Sequence, residues 1–203
     1  RHAYNDVPVI VGTTSDEAAV FGGRRTVTPA EFEKQVRDGY GAKADAILAA
    51  YSHATDEQAT RAAKDLASDT MFHWNMFTWA ALQAQHGTSP AYAYWFHRPT
   101  AADPDGSGHG SEVPLVFANE DHRPGRAPWT AEDRALSHEL QSYWVNFAKS
   151  GDPNAPGLPR WPKFQPGKAT VMELGKDNKP IAMPVEWRLN ALSDYYAWRR
   201  SGG

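Results

Sequence analysis

Cysteine is missing altogether from the 203 residues. Its absence excludes disulfides, thiolate metal ligands and a cysteine nucleophile, and is compatible with cytoplasm, periplasm and medium alike. A surplus of positive charge is missing too: 21 Lys and Arg stand against 24 Asp and Glu, for a formal charge of -3. There is no basic stripe for a phosphate backbone and no polybasic patch for anionic lipid, so neither nucleic acid nor membrane is an expected partner. No apolar run approaches the length of a membrane span. The eight histidines form no H-E-x-x-H or similar pattern, so neither a metal nor a cofactor is expected. No G-x-S-x-G elbow occurs, so a serine nucleophile of that kind is not encoded here. Repeats and low-complexity segments are also lacking. Arg1-His2-Ala3-Tyr4 offers neither an initiator methionine nor a signal peptide, and the chain is expected to be a piece of something longer.

What is present is the composition of a folded domain: 41% hydrophobic, 22% charged, with eight each of Trp, Tyr and Phe. For any single aromatic ring, core packing is the favoured use. Val7-Pro8-Val9-Ile10-Val11-Gly12 reads as a buried strand emptying into the loop Thr13-Thr14-Ser15-Asp16-Glu17. Thr28-Pro29-Ala30-Glu31 starts a helix expected to reach Asp38, with Gly39 and Gly41 ending it. Further helices are expected over 42–51, 56–85, 131–150 and 185–199, and strands over 91–98 and 170–174. In the long 56–85 helix, Leu66, Phe72 or Met71, Trp74, Phe77 and Leu82 keep a rough three-to-four spacing, which predicts a buried scaffold helix.

Four acids and one histidine invite a chemical reading. In open α/β sheets the ligand site lies beyond the carboxyl ends of the strands, which makes Asp16 and Glu17 candidates. Locally, a cap from Ser15 or Asp16 on the short helical stretch Ala18-Ala19-Val20-Phe21 is the favoured alternative. Asp69 lies inside an apolar helix and needs donors or a cation, which suits a structural anchor. His109, in Gly106-Ser107-Gly108-His109-Gly110-Ser111-Glu112, follows a strand and has small neighbours that suit a loop presenting its imidazole to a partner. Glu112 is close enough to anchor that loop. His2, His53, His73, His86, His97, His122 and His138 sit on helices, helix ends or ordinary loops.

Gly108-His109-Gly110-Ser111-Glu112-Val113-Pro114-Leu115-Val116-Phe117 resembles the catalytic-histidine segment of the type B carboxylesterases, which include cholinesterases and para-nitrobenzyl esterases. Val11-Gly12-Thr13-Thr14-Ser15-Asp16-Glu17 is similar to the strand and loop bearing that family's acidic triad member, which falls on Glu17. Tyr143-Trp144-Val145-Asn146-Phe147-Ala148-Lys149-Ser150-Gly151-Asp152-Pro153-Asn154 resembles the family's next helix end and turn, and Trp161-Pro162 with Val171-Met172-Glu173-Leu174 resembles the segment beyond that turn. Nearly the whole chain is covered in order. Ala18 stands where relatives often have glycine, and the lack of disulfides looks bacterial.

The resemblance implies an α/β fold with a mostly parallel sheet flanked by helices and helix-rich in this segment. Residues 1–203 would be the C-terminal portion of a single α/β-hydrolase domain. It implies a serine carboxylesterase in which Glu17 and His109 serve a Ser-His-Glu triad. The serine and oxyanion hole would come from an N-terminal segment as a second chain, and the substrate would be a small-molecule ester. This chain alone is then expected to be inactive. Alternatives are a cholinesterase-like binding module and an inactive truncated domain. Retention of both Glu17 and His109 favours the enzyme.

Overall fold

The computed structural model describes residues 4–20, 25–100, 104, 106–119, 128–165, 167–175 and 177–202. His2, Phe21 and His122 lie outside the described residues. Three parallel strands, β1 (Val9–Thr14), β2 (Ala91–Phe96) and β3 (Thr170–Leu174), lie side by side, and β4 (Lys179–Ala182) closes the order β1-β2-β3-β4 antiparallel to β3. The mostly parallel α/β architecture is the expected one.

Central β2 is buried at every position, and its alternation separates two cores. Ala91, Ala93 and Trp95 face a cluster containing Met76, Ala80 and Leu189. Tyr92, Tyr94 and Phe96 face Leu136, Leu140, Tyr143 and Trp161 on the other side. These partners come from α4 (Trp74–His86) and α7 (Glu186–Arg200) on one face, and, apart from Trp161 in the loop beyond it, from α6 (Ala131–Ser150) on the other. A third cluster joins α1 (Pro29–Tyr40), α2 (Ala44–Ala50) and α3 (Asp56–Ser68) to α7 through Phe32, Val36, Ile47, Leu66 and Leu192. No described helix is long and apolar enough to cross a membrane.

Strand β1 begins later than expected and runs further. Pro8 has no N–H to give, and the first ladder bond inward is from the Val9 N–H to the Pro90 carbonyl. The β-branched, buried Thr13 and Thr14 then prolong the strand. The helix expected over 56–85 is interrupted by a π turn at Asp69–His73, where the Trp74 N–H bonds the Asp69 carbonyl five residues back. One extra residue rotates the rest of the helix by about 100°. The apolar spacing read across that turn therefore fails in part: Leu66 is buried, but Met71 and Leu82 are exposed, as is Trp79. A short helix α5 (Val113–Val116) and strand β4 had no expected counterpart.

Candidate active site

The parallel strands β1 and β2 run side by side, and the loops leaving their carboxyl ends meet. Beyond Thr14 the chain enters a short 3-10 turn, Glu17–Val20. The Glu17 carboxylate, only 4% exposed, folds back on the strand end. Its Oε1 accepts from the Thr14 N–H at 2.7 Å and from the Thr13 hydroxyl at 2.5 Å. Its Oε2 accepts from Nδ1 of His109 at 2.6 Å. Three donors thus hold one buried carboxylate, the arrangement that lets a charge leave water.

His109 arrives on the loop after β2, which is stitched to the acid loop. The Asp16 N–H donates to the Ser107 carbonyl and the Ser107 N–H to the Ser15 hydroxyl, both at 2.9 Å, and Asp16 forms a parallel bridge with Gly108. The Ser107 hydroxyl accepts from the Arg98 N–H at 2.7 Å. Glycine at 106 permits this closeness, since a Cβ there would come within 2.8 Å of the Ser15 hydroxyl. Past the histidine, Gly110 takes φ +71°, turning the chain toward α5. The His109 side chain is 48% exposed and rests against Phe72, with ring centroids 4.8 Å apart. Because Nδ1 carries the proton given to Glu17, the neutral ring has its basic lone pair on Nε2. A buried acid, a fixed tautomer and a half-exposed ring can move a proton to and from a bound group.

The other acids separate by environment. Asp16 is buried beside Glu17, but its Oδ2 lies 3.4 Å from Nζ of Lys64 and its Oδ1 has no hydrogen-bond partner among the described residues. The expected side-chain cap is not what forms: the Ser15 hydroxyl is taken by Ser107 and His97, and the Asp16 main-chain carbonyl opens the turn to Ala19. The neighbouring histidine loop, invisible to local reading, claims the Ser15 hydroxyl and the Asp16 N–H. Glu112 accepts from the Tyr94 hydroxyl at 3.1 Å and makes no hydrogen bond with His109, as suits an anchor of its loop. Burial pushes the Glu112 carboxyl above the ordinary glutamate value, and burial with the facing Glu112 pushes the Tyr94 phenol up as well.

Asp69 is fully buried and anchored. Tyr51 donates to its Oδ2 at 2.7 Å, His73 Nδ1 lies 2.7 Å from Oδ1, and Arg188 Nε lies 2.9 Å from Oδ2. Sequence reasoning passed over Thr13, Thr14, Ser15, Phe72 and His73 as contributors. Only the Thr13-Thr14-Ser15 run ahead of two acids carried a usable signal. Among the described residues, no group of three His, Asp or Glu side chains is arranged to hold a metal ion.

A model described as "Carboxylesterase family" matches residues 1–192. Fumonisin B1 esterase of Sphingopyxis macrogoltabida is 30% identical over 184 residues, which are 86% of this chain and 33% of that protein. Para-nitrobenzyl esterase of Bacillus subtilis is 28% identical over 169 residues, 80% of this chain and 33% of that one. Among solved structures, a thermophilic PNB esterase superposes with a TM-score of 0.74 at 24% identity, covering 91% of this chain and 38% of its own. The fold is accordingly that of the α/β-hydrolases, and the chain spans about a third of the length of these two relatives.

Proposed function

The chain belongs to the carboxylesterase family, and from that premise we propose that it carries the acid and the histidine of a Ser-His-Glu triad hydrolysing carboxylic esters. Residues 1–203 are read as the C-terminal portion of one α/β-hydrolase domain. A segment with the nucleophile elbow and oxyanion donors, earlier in family order, supplies the rest. The observation that carries this reading is the 2.6 Å bond from His109 Nδ1 to the buried Glu17.

In the cycle, the serine hydroxyl attacks the ester carbonyl carbon while Nε2 of His109 takes its proton. Glu17 stabilises the imidazolium through Nδ1–H. The tetrahedral intermediate collapses, the carbonyl-to-alkoxy bond breaks, and Nε2 returns the proton to the departing alcohol, leaving an acyl-serine. Water then attacks the acyl carbon, gives a proton to Nε2, and releases the carboxylic acid as that proton goes back to the serine oxygen. Without a serine donor this chain turns over no ester by that route.

The test is reconstitution with a segment bearing G-x-S-x-G, followed by p-nitrophenyl acetate turnover and fluorophosphonate labelling. The assembled pair is expected to hydrolyse the ester and take the label on the added segment. His109→Ala is expected to lower kcat by roughly 10³–10⁴. Undiminished turnover in that variant, or a folded assembly with neither label nor turnover, would overturn the reading, the latter in favour of a binding module.

A further inference from the structure

Behind the Glu17–His109 pair lies a second, fully buried histidine that the proposed chemistry does not use. His73 is 1% exposed and sits in the π turn, between Asp69 and the end of β1. Its Nδ1 is 2.7 Å from Asp69 Oδ1 and its Nε2 is 3.0 Å from the Thr14 carbonyl oxygen. Both are acceptors. A carbonyl has no proton to give, so the His73 Nε2–H donates to the Thr14 oxygen, while Asp69 also takes the Tyr51 hydroxyl and the Arg188 guanidinium.

Asp69 is shared with a second helix, where Arg188 of α7 bridges Asp65 at 2.5 Å and Asp69 at 2.9 Å. Asp65 also takes Arg61 Nε at 2.8 Å, toward the surface. Thr14 of β1 and Trp95 of β2, whose ring centroid is 4.9 Å away, also face the ring.

We propose that His73 is a positioning residue for the Glu17–His109 pair, acting through the Thr14 carbonyl; the proposal rests on the esterase reading above. Thr14 is gripped on both sides of its Cα, with its carbonyl held by His73 and its N–H held on Glu17 Oε1. The same helical run grips the acid loop twice more, where the Ser68 hydroxyl accepts from the Ala18 N–H at 2.9 Å and Lys64 reaches Asp16 at 3.4 Å. Of the three grips, only His73 acts on the residue that itself bonds the Glu17 carboxylate. Loss of the His73 donor frees the end of β1, lets Glu17 move, and relaxes the tautomer and aim of His109.

The direct measurement is long-range 1H–15N correlation of the imidazoles in the full 203-residue chain at pH 7. The His73 Nε2 is expected to be protonated, and the His109 Nδ1 proton is expected as a downfield resonance. His73→Phe and the milder His73→Gln are expected to broaden or abolish that His109 resonance while circular dichroism still reports a folded chain. In the assembled esterase they are expected to lower kcat roughly ten- to a hundredfold with KM unchanged. An unprotonated His73 Nε2, or folded variants that keep the His109 resonance, would overturn the proposal. These spectra need no turnover, so they fail separately from the esterase reading, whose failure shows as an inert or His109-independent assembly.

Discussion

Asp16 and Glu17 are adjacent, acidic and both buried, yet they face different partners: Glu17 meets His109, and Asp16 leans toward Lys64. A glutamine at 17 keeps the size and one oxygen but loses the charge that stabilises an imidazolium. In the assembled esterase, Glu17→Gln is expected to reduce kcat by roughly 10²–10⁴, whereas Asp16→Asn should change it less than tenfold. Steady-state ester hydrolysis measures both, and equal losses would reverse the assignment. Glu112 supplies a second residue-scale expectation. Its carboxyl is pushed up by burial, so the folded state prefers it protonated and ionising it costs stability as pH rises through the raised value. Glu112→Gln keeps an acceptor for Tyr94 without the charge. Thermal unfolding should show the variant more stable than the parent at pH 7, with the difference fading below the ordinary glutamate range, near pH 4. A lower midpoint for the variant at pH 7 would mean that the charge is offset by a group other than Tyr94.

Elements that obey local rules were the ones sequence could delimit. Helix α6 runs over Ala131–Ser150 as expected because Thr130 caps it, Asp133 returns the bond to the Thr130 N–H, and Gly151 ends it with φ +75°. Asp133 also takes Arg98 at 2.6 Å, linking the helix start to the strand end that leads to His109. Thr130→Ala is expected to cost about 1 kcal/mol, read by urea denaturation. An unchanged midpoint would show that Arg98 alone secures this helix start. Other elements depended on partners far along the chain. Strand β4 carries Lys179 and Pro180 and is a strand because β3 pairs with it, Thr170 opposite Ala182. The π turn looks like ordinary helix in sequence, and what it serves is a set of contacts to Thr14, Tyr51 and Arg188 that no local window contains. Glu17 and His109 were readable as separate loops, and their family resemblance paired them. The threonine and histidine groups behind Glu17 became visible only when β1 and the π turn were seen side by side.

At the scale of the molecule, the same π turn that buries His73 turns an apolar stripe outward. Met71, Trp79 and Leu82 are about half exposed and lie along one side of the run formed by the π turn and α4, with Asn75 between them. Strand β1 is the terminal strand of the described sheet on that side of β2, and α4 packs over both. Large apolar groups at helical spacing beside a terminal strand form a surface that gains free energy by being covered. Residues 1–203, 22.4 kDa, are expected to associate through this stripe as their concentration rises. Trp79→Glu with Leu82→Lys places opposite charges one helical turn apart on the stripe without touching the cores, and should shift sedimentation toward the monomer. In the presence of the nucleophile-bearing segment, the same double variant should weaken assembly while leaving the Glu17–His109 bond in place. If the parent chain sediments as a monomer throughout, or the variant assembles as tightly as the parent, this stripe is not the surface that the rest of the fold covers.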